Sequence, residues 1–182
     1  QPNFKDVDFS KLKIALGGGM AVQDSVAIKW QEVTGSPLLE AYGLSETSPA
    51  ATINPTDGTH RMGTIGLPIP NTDIKIFDDD RKEVPVGERG EIGIKGPQVM
   101  AGYWNRPEAT AECMHGDYFL TGDIGIMDED GLFKIIHRKK EMVCVSGFNV
   151  YPSEVEAVIS GHPKVLEVGV RSTPDPKTTE AV

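Results

Sequence analysis

The sequence predicts a chain that begins α/β and continues mostly β. It reads as the end of an α/β sheet subdomain, a small distorted β-barrel-like subdomain, and the start of a small α+β C-terminal domain. Three observations carry this. An apolar run, a glycine turn and a helical stripe follow one another before residue 45. Segments that alternate with period two replace them beyond residue 63. After a basic stretch at 134–140 come a short apolar strand, a glycine turn and a helix opened by proline.

Taken in order, Leu12–Leu16 is expected to be a buried strand, followed at once by Gly17, Gly18 and Gly19. Val22, Val26, Trp30 and Val33 recur at helical spacing as one apolar face, and Gly35 suits the helix end. Leu38–Tyr42 is the second strand of a βαβ unit and ends in Gly43. Asp73–Asp78 and Glu91–Lys95 alternate, with a polar stretch from Asp79 to Arg89 between them. A short helix is expected at about Pro107–His115. Ile124–Met127 and Leu132–Ile136 flank Asp128-Glu-Asp-Gly131, a hairpin signal. Met142–Val145 reads as a strand and Gly147 as a turn. Pro152 opens a helix with Val155, Val158 and Ile159 on one face, and Val165–Val170 is expected to be a final strand. The divisions are 1–62, 63–137, a joint at 138–140, and 141–182. The last is too short to stand comfortably alone, so the chain is expected to be cut there.

Composition excludes several classes. The 182 residues carry 18 Lys and Arg against 27 Asp and Glu, a formal charge of −9, where a general nucleic-acid binder needs a basic surface. No apolar run approaches a membrane-spanning length, and the first residues lack the pattern of a secretory signal. Cys113 and Cys144 make no disulfide framework, which points to the cytoplasm. Those cysteines with His115 and His137 match no structural zinc spacing.

Four stretches can carry chemistry. Tyr42-Gly-Leu-Ser-Glu-Thr47 follows a predicted parallel strand, where open α/β sheets bind ligands. Gly43 would admit a ligand against the backbone, Ser45 and Thr47 can donate to phosphate oxygens, Glu46 can hold magnesium, and Tyr42 can stack on a base. The same residues would equally make an ordinary strand-to-loop turn. Gly17–Gly19 permits close contact with a flat ligand, or a plain tight turn, and no Gly-Lys-Ser/Thr follows to make a Walker loop. Asp123, after Thr121 and Gly122, suits two ribose hydroxyls, although a hydroxyl turn into the next strand fits too. Arg138, in Ile135-Ile-His-Arg-Lys-Lys140, can reach a ribose or phosphate from the joint, where a charge run is otherwise a solvated face.

Singly these signals are weak, but their order is specific. Tyr42-Gly-Leu-Ser-Glu46, Gly66-Leu-Pro-Ile-Pro70, Gly90-Glu-Ile92, Gly96-Pro97, Gly102-Tyr-Trp104, Thr121-Gly-Asp123, Asp130-Gly131, Arg138-Lys-Lys140 and Gly147-Phe-Asn-Val-Tyr-Pro152 succeed one another along essentially the whole chain. The series resembles the adenylate-forming superfamily, and within it the bacterial long-chain fatty-acyl-CoA ligases, above all over Arg138–Glu156. The resemblance implies activation of a fatty acid with MgATP to an acyl-adenylate, rotation of the C-terminal domain, and transfer of the acyl group to coenzyme A. It implies that Tyr42 stacks on adenine, with Gly17, Gly18, Gly19 and Gly43 lining that pocket. Ser45 would contact the α-phosphate and Glu46 would hold Mg2+. Asp123 and Arg138 would bind the ribose with Ile135 packed beside them, Lys140 would be the hinge, and Gly147 and Phe148 would line the coenzyme A tunnel.

The implied partners are small molecules, with no nucleic acid. A peripheral place on the inner face of the cell membrane is left open, and oligomeric state is not read from the resemblance. The family's phosphate-gripping loop and its adenylation lysine have no match here, and Lys177 does not substitute. The chain is therefore expected to be an internal fragment without turnover of its own. Two other readings stand beside this one. One is a sister enzyme that loads another acid or carrier, or stops at the adenylate. The other is a non-catalytic module that binds an adenine nucleotide or a protein.

Overall fold

A computed structural model of the chain describes residues 4–162 and 164–182. Strand β1 (Ala15–Gly17), helix α1 (Asp24–Thr34) and strand β2 (Leu38–Gly43) form the expected βαβ unit. β1 and β2 are parallel, with Ala15 opposite Leu38 and Gly17 opposite Glu40. Gly35 ends α1 in a left-handed conformation and returns its N–H to the Gln31 carbonyl. Beyond β2 the sheet turns antiparallel through β3 (Ala50–Ile53) and β4 (Leu67–Pro68), in the order β1-β2-β3-β4.

The second sheet is antiparallel throughout. It contains β5 (Asp73–Phe77), β6 (Gly90–Lys95) and, after helix α2 (Pro107–Cys113), β7 (Met114–His115), β8 (Tyr118–Met127) and β9 (Phe133–Arg138). β8 is its spine. One edge pairs with β6; the other pairs with β7 at its start and β9 over the rest. Register shifts at Glu91/Gly93 and Ile124/Gly125 bend the sheet into a curled half-barrel. A 3-10 turn, Lys139–Glu141, leads to the last sheet. There β10 (Val143–Val145) and β11 (Phe148–Val150) precede helix α3 (Pro152–Ser160), and β12 (Thr173–Asp175) and β13 (Thr179–Ala181) follow it, in the order β11-β10-β13-β12.

The main core lies between the first two sheets. Ala51, Ile65, Ile74, Ile76, Ile92, Ile94 and Phe133 are buried together, with Tyr42, Leu44 and Ile135 packed against them. Residues 65–68 stitch the sheets to each other: β4 pairs with β3, while Gly66 bridges Phe133 of β9. The 62/63 division therefore falls just before a seam shared by both sheets.

Three expectations are corrected. The strand expected at Val165–Val170 is absent among the described residues; the chain is irregular there and Leu166 is 94% exposed. A strand needs a partner for its backbone groups, and the partner of β10 is supplied later, by the β12–β13 hairpin. The first strand starts at Ala15 rather than Leu12, because pairing with β2 spans only Ala15–Gly17. The apolar face of α1 is half covered: Trp30 and Val33 are partly buried, but Val26 is exposed and Val22 precedes the helix. Two short parallel strands offer too little surface to cover a four-residue stripe.

Candidate functional site

The parallel strands β1 and β2 end side by side, so the glycine run and the Tyr42–Thr47 stretch share the carboxyl edge of the sheet. Open α/β sheets bind their ligands at that edge. Gly18 lies against the backbone of β2: a Cβ there would stand 2.9 Å from the Ala41 carbonyl oxygen. Gly43 is crowded for a different reason than the sequence suggests. A Cβ there would come within 1.5 Å of the Pro49 carbonyl oxygen, so the chain's own returning backbone alone requires a glycine at this position.

The phosphate role expected of Thr47 is corrected by its burial. It is fully buried; its hydroxyl accepts the Leu44 N–H at 2.9 Å and donates to the Pro49 carbonyl at 2.7 Å. It holds the turn and leaves nothing for a phosphate. Ser45 is exposed at the same turn, and Glu46 is half-buried.

The second cluster joins the two sheets. The Tyr42 hydroxyl donates to Asp123 Oδ2 at 2.6 Å, across 81 residues of sequence. Arg138 Nε donates to Asp123 Oδ1 at 2.8 Å. Asp123 and Arg138 face each other in the β8–β9 register, which fixes the pair as cross-strand neighbours. Asp123 is 3% exposed, whereas Arg138 extends into solvent. The hydroxyl turn is present: the Thr121 hydroxyl accepts the Asp123 N–H at 3.1 Å, and that local bond aims the carboxylate. Thr121 donates onward to the Ile92 carbonyl at 3.0 Å, which ties the turn to the core strand β6. Burial first, then the Asp123 charge, push the Tyr42 phenol well above its ordinary value. Its hydrogen bond to Asp123 holds the Arg138 guanidinium above its own. Tyr42 thus stays a donor and Arg138 a cation. A carboxylate has about four lone-pair sites, so Asp123 retains acceptor capacity beyond these two partners.

A residue not singled out from sequence completes the first cluster. The Tyr103 hydroxyl donates to Glu46 Oε1 at 2.7 Å, and the Met100 N–H donates to the Glu46 carbonyl at 2.8 Å. The Glu46 hydrogen bond, then desolvation, push the Tyr103 phenol up to about 12. Tyr103 stands in the Gly102-Tyr-Trp104 motif, but its partner lies 57 residues away, and nothing local in the sequence announces that contact.

At the joint, Lys139 pairs with Asp79 at 3.0 Å and with Glu91 at 3.4 Å, while Lys140 is exposed beside it. Ile135 packs on the core with Tyr42. His137 is buried, stacks on Tyr151 with ring centroids 3.9 Å apart, and has no partner for Nδ1. The Ser153 hydroxyl donates to the Ile136 carbonyl at 3.1 Å across the same joint. Gly147 and Phe148 are exposed in the third sheet, in the two-residue turn and first strand position of the β10–β11 hairpin.

The profile of AMP-binding enzymes matches residues 1–104, more than half of the chain. The chain belongs to the AMP-binding enzyme family. Among its relatives, the long-chain-fatty-acid–CoA ligase of Yersinia pestis is 52% identical over 179 residues, 98% of this chain and 32% of that protein. Among solved structures, ATP-bound MatB from Rhodopseudomonas palustris superposes with a TM-score of 0.86 at 37% identity, over 92% of this chain and 33% of that one. The Bacillus subtilis o-succinylbenzoate CoA synthetase, in complex with its acyl-adenylate intermediate, gives 0.84 at 31% identity, over 94% and 35%. The chain spans about a third of the length of these relatives.

In the first cluster, one carboxylate could hold a divalent cation together with a nucleotide. Among the described residues no group of three or more His, Cys, Asp or Glu side chains could enclose a metal. Glu46 offers a single carboxylate, with Oε1 engaged by Tyr103 and an exposed hydroxyl at Ser45 beside it. Magnesium commonly takes one or two protein carboxylates and fills its octahedron with phosphate oxygens and waters. Among the described residues no helix is long and apolar enough to cross a membrane.

Proposed function

We propose that the protein carrying this chain is a cytoplasmic fatty acid–CoA ligase. It activates a long-chain acid with MgATP to acyl-AMP, releases pyrophosphate, and passes the acyl group to coenzyme A. The observation that carries this is the Tyr42–Asp123–Arg138 array, which joins the carboxyl end of β2 to the β8–β9 hairpin, in a chain 52% identical to a long-chain-fatty-acid–CoA ligase. The shared presence of ATP or an acyl-adenylate in the structures it superposes on supports the adenosine assignment.

In this reading Asp123 accepts the ribose hydroxyls and Arg138 donates to the ribose from the exposed side. The Tyr42 ring lies along the adenine, and Gly17 to Gly19 leave that face of the pocket without side chains. Ser45 donates to the α-phosphate. Glu46 holds Mg2+, which when bound neutralises phosphate charge. The chain's part is to align the acid's carboxylate with the α-phosphate and to stabilise the charge that develops there. Lys140 is the hinge, and Gly147 and Phe148 meet the pantetheine arm of coenzyme A after the C-terminal domain turns.

The full-length protein tests this. Adenylation is read as exchange of labelled pyrophosphate into ATP, and thioester formation as long-chain acyl-CoA. Both are expected with long-chain acids, and Asp123→Ala is expected to raise the ATP KM at least about tenfold, the loss of one charge-assisted contact of roughly 1.5–3 kcal/mol. Exchange without acyl-CoA would instead mark an enzyme that loads another carrier. Absence of both would sink the ligase reading.

A further inference from the structure

We infer that Tyr103 is a positioning residue for the Glu46 carboxylate: it fixes one carboxylate oxygen so that the other is presented to the nucleotide's divalent cation. The inference rests on the magnesium role proposed for Glu46. It starts from a loop that is tied down at several points. Between β6 and α2, the Gln98 amide donates to the Ala50 carbonyl at 3.2 Å and to the Thr72 hydroxyl at 2.8 Å. The Met100 N–H reaches the Glu46 carbonyl at 2.8 Å. The Tyr103 N–H donates to the Thr110 hydroxyl at 2.9 Å, and that hydroxyl donates to the Arg106 carbonyl at 3.0 Å. The tyrosine is thus held from its backbone by α2, and its hydroxyl meets Glu46 Oε1 at 2.7 Å.

The chemistry of the partner matters. A phenol at neutral pH is a donor and carries no charge. It restrains the glutamate while leaving its full negative charge for a cation, whereas a lysine or arginine in that place would neutralise it. Among the described residues Glu46 makes no ion pair. A donor on Oε1 leaves the Oε2 lone pairs open. The rotamer freedom that an unrestrained glutamate loses on binding a cation is lost here on folding. Groups that orient a metal ligand in this way commonly change metal affinity by about 10–100-fold when removed.

The test uses the full-length protein, with Tyr103→Phe and Glu46→Gln compared with the parent. Tyr103→Phe keeps the ring and removes only the hydroxyl, and circular dichroism checks the fold of each variant. Mn2+ binding in the presence of α,β-methylene-ATP is titrated by electron paramagnetic resonance, and pyrophosphate release is measured against Mg2+ concentration. Both variants are expected to weaken Mn2+ binding, Tyr103→Phe by about tenfold. In Tyr103→Phe the Mg2+ needed for half-maximal rate should rise in step, while the rate at saturating Mg2+ and the fatty acid KM stay near parental values. If Glu46→Gln weakens Mn2+ binding and Tyr103→Phe does not, the inference is overturned and the magnesium role of Glu46 stands. A Tyr103→Phe rate that falls equally at every Mg2+ concentration, with unchanged Mn2+ affinity, would make Tyr103 a structural residue and overturn it too. Unchanged Mn2+ binding in Glu46→Gln would remove the magnesium role itself, and the inference with it.

Discussion

The curled sheet β5–β9 and the last sheet β10–β13 are both antiparallel but bury very different amounts of side chain. The first shields Ile92 and Ile94 completely and packs Phe133 between itself and β3. In and around the second, Val143 is buried, while Phe148 of β11, Val158 of α3 and Leu166 of the irregular segment face solvent. The candidate site follows the same division. Its buried acceptor, Asp123, sits where packing fixes a side chain in place, and the groups assigned to movement and to coenzyme A, Lys140, Gly147 and Phe148, sit where it does not. Precision in a site comes from the rigid elements beneath it.

Three changes of decreasing size test that contrast. Phe133→Ala should cost the chain about 3–5 kcal/mol of stability in chemical denaturation, the range for deleting a buried aromatic ring. A loss under about 1 kcal/mol would mean that the half-barrel is not the organising core.

The second is pH-dependent and acts at the joint between the two sheets. Burial, then the Arg89 charge, hold the His137 imidazole below its ordinary 6.5, with Glu154 opposing them. The unfolded chain therefore takes up this proton first. The contribution is fully present above pH 6.5 and is lost as pH falls through the lower folded value. Denaturation midpoints are expected to drop below pH 6.5, and His137→Phe, which keeps a ring against Tyr151, should remove that part of the slope. An unchanged slope in the variant would place the proton uptake elsewhere.

The smallest effect is expected in the irregular segment that leads to the last sheet. Leu166→Ser should change stability by less than about 0.5 kcal/mol, as surface substitutions do. Hydrogen exchange should find the amides of β10–β13 less protected than those of β6 and β8. Equal protection would erase the contrast.

The legible parts of the fold were those with local signals. Alternation marked β5 and β6, the Asp128–Gly131 turn marked the β8–β9 hairpin, and Pro152 and Gly161 bracketed α3. The two-residue strands β4 and β7 exist only through their neighbours, and no period can announce them. The Val165–Val170 run had strand-like residues but no partner to accept its hydrogen bonds. In the site, Asp123 and Arg138 were legible as residue types, and their contact follows from a register set by the hairpin. Thr47 is buried in its own turn, and Gly43 meets the returning strand, because a hydroxyl or a missing side chain serves the chain's own backbone as well as a ligand, and sequence does not say which is nearer. Tyr103 was hidden for the opposite reason: its role depends on one contact with a distant turn.

The Tyr42–Asp123–Arg138 array has a thermodynamic consequence. Tyr42 belongs to the first sheet, and Asp123 and Arg138 to the second, so a nucleoside bound as proposed would grip both at once. Its binding free energy is then shared as cohesion between them, about 2.7 kcal/mol at a free ligand concentration a hundred times Kd. Occupancy would raise the melting temperature of the two sheets together, joining them into one cooperative unit whose boundary runs through Arg138 and stops short of the last sheet.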